Sequence, residues 1–312
     1  MRAALVALAL SACGSPSSGP DGGGPDLALA PDLAGAPVLW LKVIPPTSDD
    51  LFAVAADAGG ALYAVGARGT ILLSTDGGKS WAAQSSGTVR DLFALWPRSP
   101  GEVVVVGGGG TILRTVNHGA SWLGEPSNTP ADLHAIAGVA GGEAWAVGQA
   151  GTIVHTKGDG TWLPETSPTT SDLLGAWVAA DGAHALGRAG TLIARANGAW
   201  STAPSPTALD LYASDGSFAS GASGLLLERS GPSWNTDATG TSSTLTALSP
   251  GGINKCQLEI AVGLNGTALH RCGTAFQLDA TGTDQNLYGV TSTGADAFAV
   301  GAAGTLLHRS TW

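Results

Sequence analysis

Apolar and polar positions recur in the same order seven times along residues 37–312. Each recurrence contains apolar runs of four to six residues, some alternating with polar positions, and Gly-rich turns separate the runs. Runs of this length and period are typical of β-strands, whereas a helix needs apolar positions three and four residues apart. The clearest marker is Gly-x-x-Gly followed by an apolar run, and its copies start at Gly66, Gly107, Gly148, Gly187, Gly221, Gly263 and Gly301.

A second marker, Asp-Leu-x-Ala, stands before the first apolar run of each unit. Asp50-Leu51 begins a clear copy and Asn286-Leu287 a weaker one. An aromatic residue stands ten positions before every copy, at Trp40, Trp81, Trp122, Trp162, Trp200, Trp234 and Phe276. Four short strands in a unit of about 40 residues match a β-propeller blade. We therefore predict an all-β, seven-bladed β-propeller over residues 37–312, with four strands per blade.

The two ends of the repeat region predict how the ring closes. The last unit stops at Trp312, where its fourth strand should begin, and the unpaired strand from Val38 to Ile44 precedes the first unit. We expect this N-terminal strand, which carries Trp40, to complete the last blade. Closure of that kind would leave no open sheet edge between the first and last blades.

Composition narrows the function classes. Charged residues make up 12% of the chain and the formal net charge is −10, which argues against nucleic-acid binding because that needs basic patches. No run of 18 apolar residues is present, so no membrane-spanning helix is expected. The 47 glycines and 17 prolines disfavour helices.

The N-terminus is similar to a bacterial lipoprotein signal peptide. Arg2 is followed by a short apolar run, and Leu10-Ser11-Ala12-Cys13 resembles a lipobox. The resemblance implies that residues 1–12 are removed and that Cys13 becomes the lipidated first residue, whereas the alternative is a free cysteine after an ordinary secretion signal. Gly14, rather than Asp, after the cysteine favours the outer membrane over the inner one. Residues 13–36 would then be the lipidated cysteine and a flexible linker rich in Gly, Pro and Ser.

The turn after the third strand of the first unit carries a family resemblance. Its sequence Ser74-Thr-Asp76-Gly-Gly78-Lys-Ser80-Trp81 matches the Asp-box, or BNR, pattern, and later units keep weaker copies. Together with the Gly-x-x-Gly period, it resembles the photosystem II stability/assembly-factor-like family of seven-bladed propellers. We interpret Ser74, Asp76, Gly78 and Trp81 as structural, since the carboxylate would accept turn N–H groups and the Trp would pack on its blade.

Asp boxes also occur in sialidases, so a carbohydrate-binding or glycosidase-like propeller is the alternative. That family would require a Tyr nucleophile, but Tyr212 and Tyr288 occupy the x position of the Asp-Leu-x-Ala marker, where Phe52 stands in another unit. Packing is the better interpretation, and nothing selects a catalytic pair of carboxylates. The six histidines lack metal-ligand spacing and are interpreted as solvated surface. We expect no enzyme activity, cofactor or metal.

Two polar sets are candidates for a binding surface. The first is an acidic row before the inner strands, which would either hold a cation or basic ligand at the channel mouth or cap turns: Asp50, Asp91, Asp132, Asp172 and Asp210. The second is a candidate partner face in the turns and the loops beside them: Arg68, Arg90, Gln149, Arg188 and Asn265. Turns and inner-strand entries share one face of a propeller, so we expect both sets there.

Cys256 and Cys272 stand at nearly equal distances on either side of the sixth Gly-x-x-Gly turn. They should face each other across a hairpin, and an extracytoplasmic location would oxidise them. We predict a disulfide, which would contribute about 3 kcal/mol to stability.

The sequence as a whole predicts a monomeric, extracytoplasmic, lipid-anchored propeller that binds or scaffolds an envelope or secreted protein, or a glycan. A purely structural envelope component remains a further alternative.

Overall fold

The computed structural model describes residues 39–231, 233–250, 259–294 and 296–310. By its contacts the chain divides into Met1–Ala36 and Pro37–Trp312, and the fold below belongs to the second unit. Its described residues form seven four-stranded antiparallel sheets, joined by turns and by six single-turn 3₁₀ helices. The prediction of an all-β, seven-bladed propeller with four strands per blade is confirmed.

Each blade follows the chain from its inner strand to its outer strand, except the seventh. The first four blades consist of the following strands. Blade 1 has β2 (Leu51–Ala56), β3 (Leu62–Gly66), β4 (Ile71–Ser74) and β5 (Ala82–Gln84); blade 2 has β6 (Leu92–Ser99), β7 (Glu102–Gly107), β8 (Ile112–Thr115) and β9 (Leu123–Gly124); blade 3 has β10 (Leu133–Gly138), β11 (Ala144–Gly148), β12 (Ile153–Thr156) and β13 (Trp162–Pro164); blade 4 has β14 (Leu173–Ala179), β15 (Gly182–Gly187), β16 (Leu192–Ala196) and β17 (Ala199–Thr202).

Of the last three blades, only blade 7 takes its outer strand from elsewhere in the chain. Their bounds are as follows. Blade 5 has β18 (Leu211–Ser214), β19 (Phe218–Gly221), β20 (Leu226–Ser230) and β21 (Ser233–Asp237); blade 6 has β22 (Leu245–Pro250), β23 (Glu259–Gly263), β24 (Ala268–Cys272) and β25 (Ala275–Leu278); blade 7 has β26 (Leu287–Ser292), β27 (Asp296–Gly301), β28 (Leu306–Ser310) and β1 (Leu41–Val43). The short 3₁₀ helices lie in six of the Gly-x-x-Gly turns, at Ala67–Gly69, Gly108–Gly110, Gln149–Gly151, Arg188–Gly190, Ala222–Gly224 and Ala302–Gly304.

The N-terminal strand closes the ring as the sequence predicts. β1 pairs with β28 antiparallel, with Leu41 opposite His308 and Val43 opposite Leu306, so it is the outer strand of blade 7. Seven apolar clusters of buried residues lie between neighbouring blades, and the cluster between blades 7 and 1 includes Leu51 and Phe298. The core is therefore a ring of blade-to-blade interfaces.

Steric crowding explains both glycines of the repeated turn. The leucine that begins each inner strand is fully buried and pairs with the first glycine, as Leu51 does with Gly66. A Cβ on Gly66 would lie 2.0 Å from the Asp50 carbonyl oxygen, and one on Gly69 would lie 2.1 Å from the Thr88 carbonyl oxygen. Gly69 also has a positive φ of 75°, which side chains disfavour. Both positions thus require glycine.

Several predictions fall outside the described residues. These are the signal peptide at 1–12, the linker at 13–36 with Cys13, and Cys256, so the lipid anchor and the disulfide stay predictions. Of Cys272 only the backbone, in β24, is described. Among the described residues, the structure holds no helix with the length and apolar character needed to cross a bilayer.

Candidate functional site

One face of the propeller gathers both polar sets that the sequence singles out. The Gly-x-x-Gly turns join the second and third strands there, and the loops from each outer strand enter the next inner strand at the same edge. This follows from antiparallel pairing, because an inner strand begins beside the end of the second strand. We call this surface, made of the seven turns and the seven entry loops, the turn face.

The acidic row connects neighbouring blades. The Oδ1 atom of each aspartate accepts a backbone N–H from the turn of the preceding blade, as Asp91 does from Arg68 at 2.8 Å. The other pairs are Gly109 to Asp132 at 2.7 Å, Ala150 to Asp172 at 2.9 Å, Ala189 to Asp210 at 2.8 Å, and Ala303 to Asp50 at 2.7 Å. Asn286 accepts from Asn265 at 3.0 Å in the same way. These side chains cap turns, and the capped turn belongs to the neighbouring blade.

Turn geometry explains why a side chain must reach across. The third turn residue has a positive φ at every copy, between 51° and 60°. Its amide points away from its own hairpin and towards the next blade, where the carboxylate meets it. The backbone hydrogen bond from Ala150, followed by the contact with Arg188, lowers the pKa of Asp172. The aspartates are therefore hydrogen-bond acceptors that join blades around the ring.

The candidate partner residues also lie on the turn face. Arg68 forms an ion pair with Asp49, and Arg188 contacts Asp172 at 3.0 Å and Asp210 at 3.2 Å. The Arg68 side chain is still 72% exposed and that of Arg188 is 55% exposed. Gln149 and Asn265 are exposed in their turns. Pairing holds these cations in place without hiding them from a partner.

Arg90, the fifth candidate, lies over the turn of blade 2. A Cβ on Gly109 would be 2.5 Å from an Arg90 guanidinium nitrogen, so the arginine covers that glycine closely. Arg90 and its neighbour Val89 are exposed, and Val89 is 85% accessible to solvent. Both line a groove on the turn face that also includes Arg68 and Thr88. Cationic and apolar groups therefore stand side by side next to blade 1.

An arc of aromatic side chains runs behind the aspartates. The ring centroid of Phe52 lies 5.7 Å from that of Phe93 and 5.8 Å from that of Tyr288, and Phe93 lies 5.7 Å from His134. All four residues directly follow the leucine that opens an inner strand, at the point where the strand register shifts. Sequence reasoning interprets this position as packing for Tyr212 and Tyr288 but does not anticipate that the rings contact one another across blades.

The Asp-box residues form a closed hydrogen-bonded turn on the opposite face. Asp76 accepts from the Ser80 amide at 2.9 Å and from the Ser80 hydroxyl at 2.6 Å, and Ser74 also donates to it. These bonds lower the pKa of Asp76 to about 2. The Ser74 hydroxyl accepts the Gly78 amide, and the Trp81 indole donates to the Gly78 carbonyl.

The interpretation of all six histidines as solvated surface is wrong for two of them. His270 is 7% exposed and lies 2.6 Å from Asp279, and His184 is 8% exposed and lies 2.9 Å from Asp181. The third-strand position of His270 faces the neighbouring blade, and sequence spacing does not show this. Among the described residues, no group of three or more His, Cys, Asp or Glu side chains could hold a metal ion.

Comparison with known proteins supports the fold. No protein-family model matches the sequence, and no curated protein matches it either. Several solved structures match the fold. The structure of YCF48 bound to D1 peptide is 18% identical in sequence with a TM-score of 0.72, and the match covers 90% of this chain and 100% of that one. YCF48 from Cyanidioschyzon merolae is 17% identical with a TM-score of 0.71, covering 87% and 98%. A virginiamycin B lyase from Staphylococcus aureus is 11% identical with a TM-score of 0.75, also covering 87% and 98%. At these identities the similarity shows the propeller fold alone.

Proposed function

We propose that this chain is a non-catalytic binding or scaffolding module that recognises a protein partner through its turn face. The observation that carries the proposal is the exposed, ion-paired set of arginines on that face, beside the exposed Val89. Interfaces are enriched in arginine, whose planar donor fork is already oriented when it is ion-paired. The similarity to a YCF48 structure that contains a D1 peptide supports a peptide or protein ligand.

We further propose that the propeller works outside the cytoplasm and is tethered to the envelope through Cys13. The lipobox resemblance and the Gly, Pro and Ser content of residues 14–36 support this location. Such a tether would concentrate the propeller near envelope partners and would raise its apparent affinity for them. Metabolic labelling with a fatty-acid analogue tests the anchor: the parent should incorporate label, and Cys13→Ser should not.

The partner surface is tested by affinity capture from solubilised envelope with the anchor intact. Arg68→Glu combined with Arg188→Glu should reduce partner recovery at least tenfold, because two exposed cations become anions on the proposed surface. The matched control is Lys79→Glu with Lys157→Glu, which reverses two exposed charges on the opposite face. Circular dichroism melts check that both variants fold. Equal recovery from the turn-face variant and the control would refute the assignment.

A further inference from the structure

Arg188, on the turn face, shows what two neighbouring aspartates of the acidic row can hold together. Its Nε atom donates to Asp172 Oδ2 at 3.0 Å, and its Nη1 atom donates to Asp210 Oδ2 at 3.2 Å. The Oδ1 atoms of the same aspartates accept turn amides. Each carboxylate therefore uses one oxygen for the fold and the other for this cation. We call the position between the aspartates of two successive blades a guanidinium niche.

The niche between blades 1 and 2 has the same acceptors but no cation from its own turn. Asp50 and Asp91 form it, and their Oδ1 atoms accept turn amides at 2.7 Å and 2.8 Å, as in the niche that holds Arg188. The second residue of the blade 1 turn, which corresponds to Arg188, is Ala67, and its side chain carries no donor. Within the described part of the chain, neither Oδ2 atom of this niche has a hydrogen-bond or ion-pair partner. Two acceptor oxygens therefore face a position that the chain itself does not occupy with a cation.

Two arginines close to this niche are engaged elsewhere. Arg68 forms its ion pair with Asp49, and the Arg90 guanidinium lies over Gly109 in the turn of blade 2. The Gly109 amide is capped from blade 3, so Arg90 lies beside the junction of blades 2 and 3. In the described ranges, neither arginine forms an ion pair with the aspartates between blades 1 and 2. That niche is therefore the one that a cation from another molecule can enter without displacing an internal one.

The contacts of Arg188 indicate a guanidinium rather than an ammonium as the ligand. One planar group spans two carboxylates through donors on two different nitrogens. A guanidinium presents such donors in a fixed fork, whereas an ammonium is a compact point charge. The hydrogen bond with Asp172 raises the pKa of Arg188, so the niche favours the charged form of its occupant.

An aromatic residue stands beside both niches. Tyr212 follows Asp210 by two positions and is the extra residue where the strand register shifts. Burial and then the charge of Asp210 raise the pKa of Tyr212, and Arg188 opposes that shift, so the phenol lies close to the niche. Phe93 holds the same place after Asp91 and is partly exposed. An aromatic neighbour suits a guanidinium, whose planar face packs on such rings.

We propose that the niche between blades 1 and 2 binds an arginine side chain of the partner protein, whose guanidinium bridges Asp50 Oδ2 and Asp91 Oδ2. The proposal deepens the proposed function and rests on it for the partner being a protein. Arginine is enriched in protein interfaces, which makes it the natural donor. The turn face then offers arginines of its own beside a position that accepts one, so it selects a partner surface with both signs of charge.

Carbon-13 NMR of the purified protein, labelled at the aspartate carboxyl carbon, tests the niche without any partner. The probe is N-acetyl-arginine amide, and N-acetyl-citrulline amide is the neutral comparison of nearly the same shape. N-acetyl-lysine amide carries the same charge without the planar fork. We expect the arginine probe to shift the Asp50 and Asp91 resonances saturably, the lysine probe to bind at least tenfold more weakly, and the citrulline probe to shift neither.

A substitution that keeps the turn cap separates binding from folding. Asn286 caps the turn of blade 6 through its amide oxygen, accepting from Asn265 at 3.0 Å. Asp91→Asn should likewise preserve the cap while removing one charge from the niche, and it should abolish the shift at Asp50. Asp284→Asn, at an exposed acid in the entry loop of blade 7, is the matched control and should leave the response unchanged. Circular dichroism melts check that both variants fold.

Two further variants use Arg188 as the reference. Ala67→Arg places an internal guanidinium in the niche and should abolish the response to the probe, whereas Arg188→Ala should create a response at Asp172 and Asp210. The proposal is overturned by no shift with the arginine probe, by an equal response to lysine or citrulline, by a response that persists in Ala67→Arg or Asp91→Asn, or by no new response in Arg188→Ala. The probes involve no partner, so a failure of affinity capture would leave this result standing.

Discussion

At the residue scale, Glu259 is a carboxyl group held in its neutral form. It is 1% exposed at the start of β23, opposite Pro250. Burial, followed by the negative charge of Asp215, raises its pKa to about 10, and Arg271 offsets the shift only in part. Burial disfavours the charged form of a carboxyl group. The folded protein therefore keeps a proton on Glu259 at neutral pH that the unfolded chain releases.

We predict that Glu259→Gln removes a pH dependence of stability. An acid whose folded pKa is raised loses stabilising free energy as pH rises from its unfolded pKa, about 4.5, towards its folded value. The slope approaches about 1.4 kcal/mol per pH unit. In urea unfolding at pH 5, 7 and 9, the free energy of unfolding of the variant should rise relative to that of the parent at each step. Glu143→Gln, at an exposed acid just before β11, is the control, and parallel pH profiles for parent and Glu259→Gln would contradict the prediction.

At the element scale, six of the seven blade junctions share one connection, in which a side chain before an inner strand accepts the turn amide of the preceding blade. The exception is between blades 5 and 6, where Thr244 occupies the acceptor position. The turn amide there belongs to Ser223, whose φ of 57° matches the other copies. The described residues contain no side-chain acceptor for that amide, so this junction lacks a hydrogen bond that the others have.

Thr244→Asp should supply the missing connection. A hydrogen bond to a carboxylate contributes about 1.5–3 kcal/mol when fully formed, but the turn is exposed, so we expect a gain of about 1 kcal/mol. For a domain of this size that raises the melting temperature by about 2–4 °C. Thr244→Ala is the control and should show no gain, and Asp132→Ala should lose a comparable amount. An unchanged or lower melting temperature for Thr244→Asp would show that the shared geometry does not stabilise the junction.

In the blades that lack the Asp-box Ser or Thr, an arginine takes its position. Blades 1 to 3 carry Ser or Thr five positions after the second turn glycine, but blades 4 to 7 carry arginine there. Each arginine pairs with an acid of the preceding blade: Arg195 with Glu165, Arg229 with Asp181, Arg271 with Glu228, and Arg309 with Asp279. Loss of the local turn bond is thus accompanied by a new contact between blades.

At the scale of the whole molecule, sequence predicts what is local and periodic. The period of Gly-x-x-Gly predicts the blades because crowding within one hairpin and one adjoining loop leaves no room for a side chain at Gly66 or Gly69. The aspartate connections and the contact of Phe52 with Phe93 depend on which blades become neighbours and on how their side chains meet. Such contacts join residues about one repeat apart, so no short motif records them. Repeat alignment could have shown Arg195 in the position of Ser74.

Ring closure rests on a buried polar cluster at the junction of blades 6 and 7. Trp40, which is 2% exposed, donates its indole N–H to Asp279 at 3.0 Å. The Asp279 side chain is fully buried and also contacts Arg309 at 3.0 Å and His270 at 2.6 Å. Removing one partner of a buried ion pair typically costs about 3–5 kcal/mol. The N-terminal strand therefore has two roles: it pairs with β28, and it shields the buried charges of Asp279 and Arg309 from water.

Deleting residues 37–45 should accordingly unfold the propeller or lower its melting temperature by more than about 10 °C, given about 2–4 °C for each kcal/mol lost in a domain of this size. The deletion removes β1 and Trp40, exposes the edge of β28 and admits water to Asp279 and Arg309. Deleting residues 14–30, a stretch rich in Gly, Pro and Ser, should leave the melt unchanged and is the control. Trp40→Phe keeps an aromatic ring in the cluster and removes only the indole donor, so it should destabilise by much less than the strand deletion. If both deletions melt like the parent, pairing of β1 with β28 does not hold the ring closed, and the interfaces between blades must do so alone.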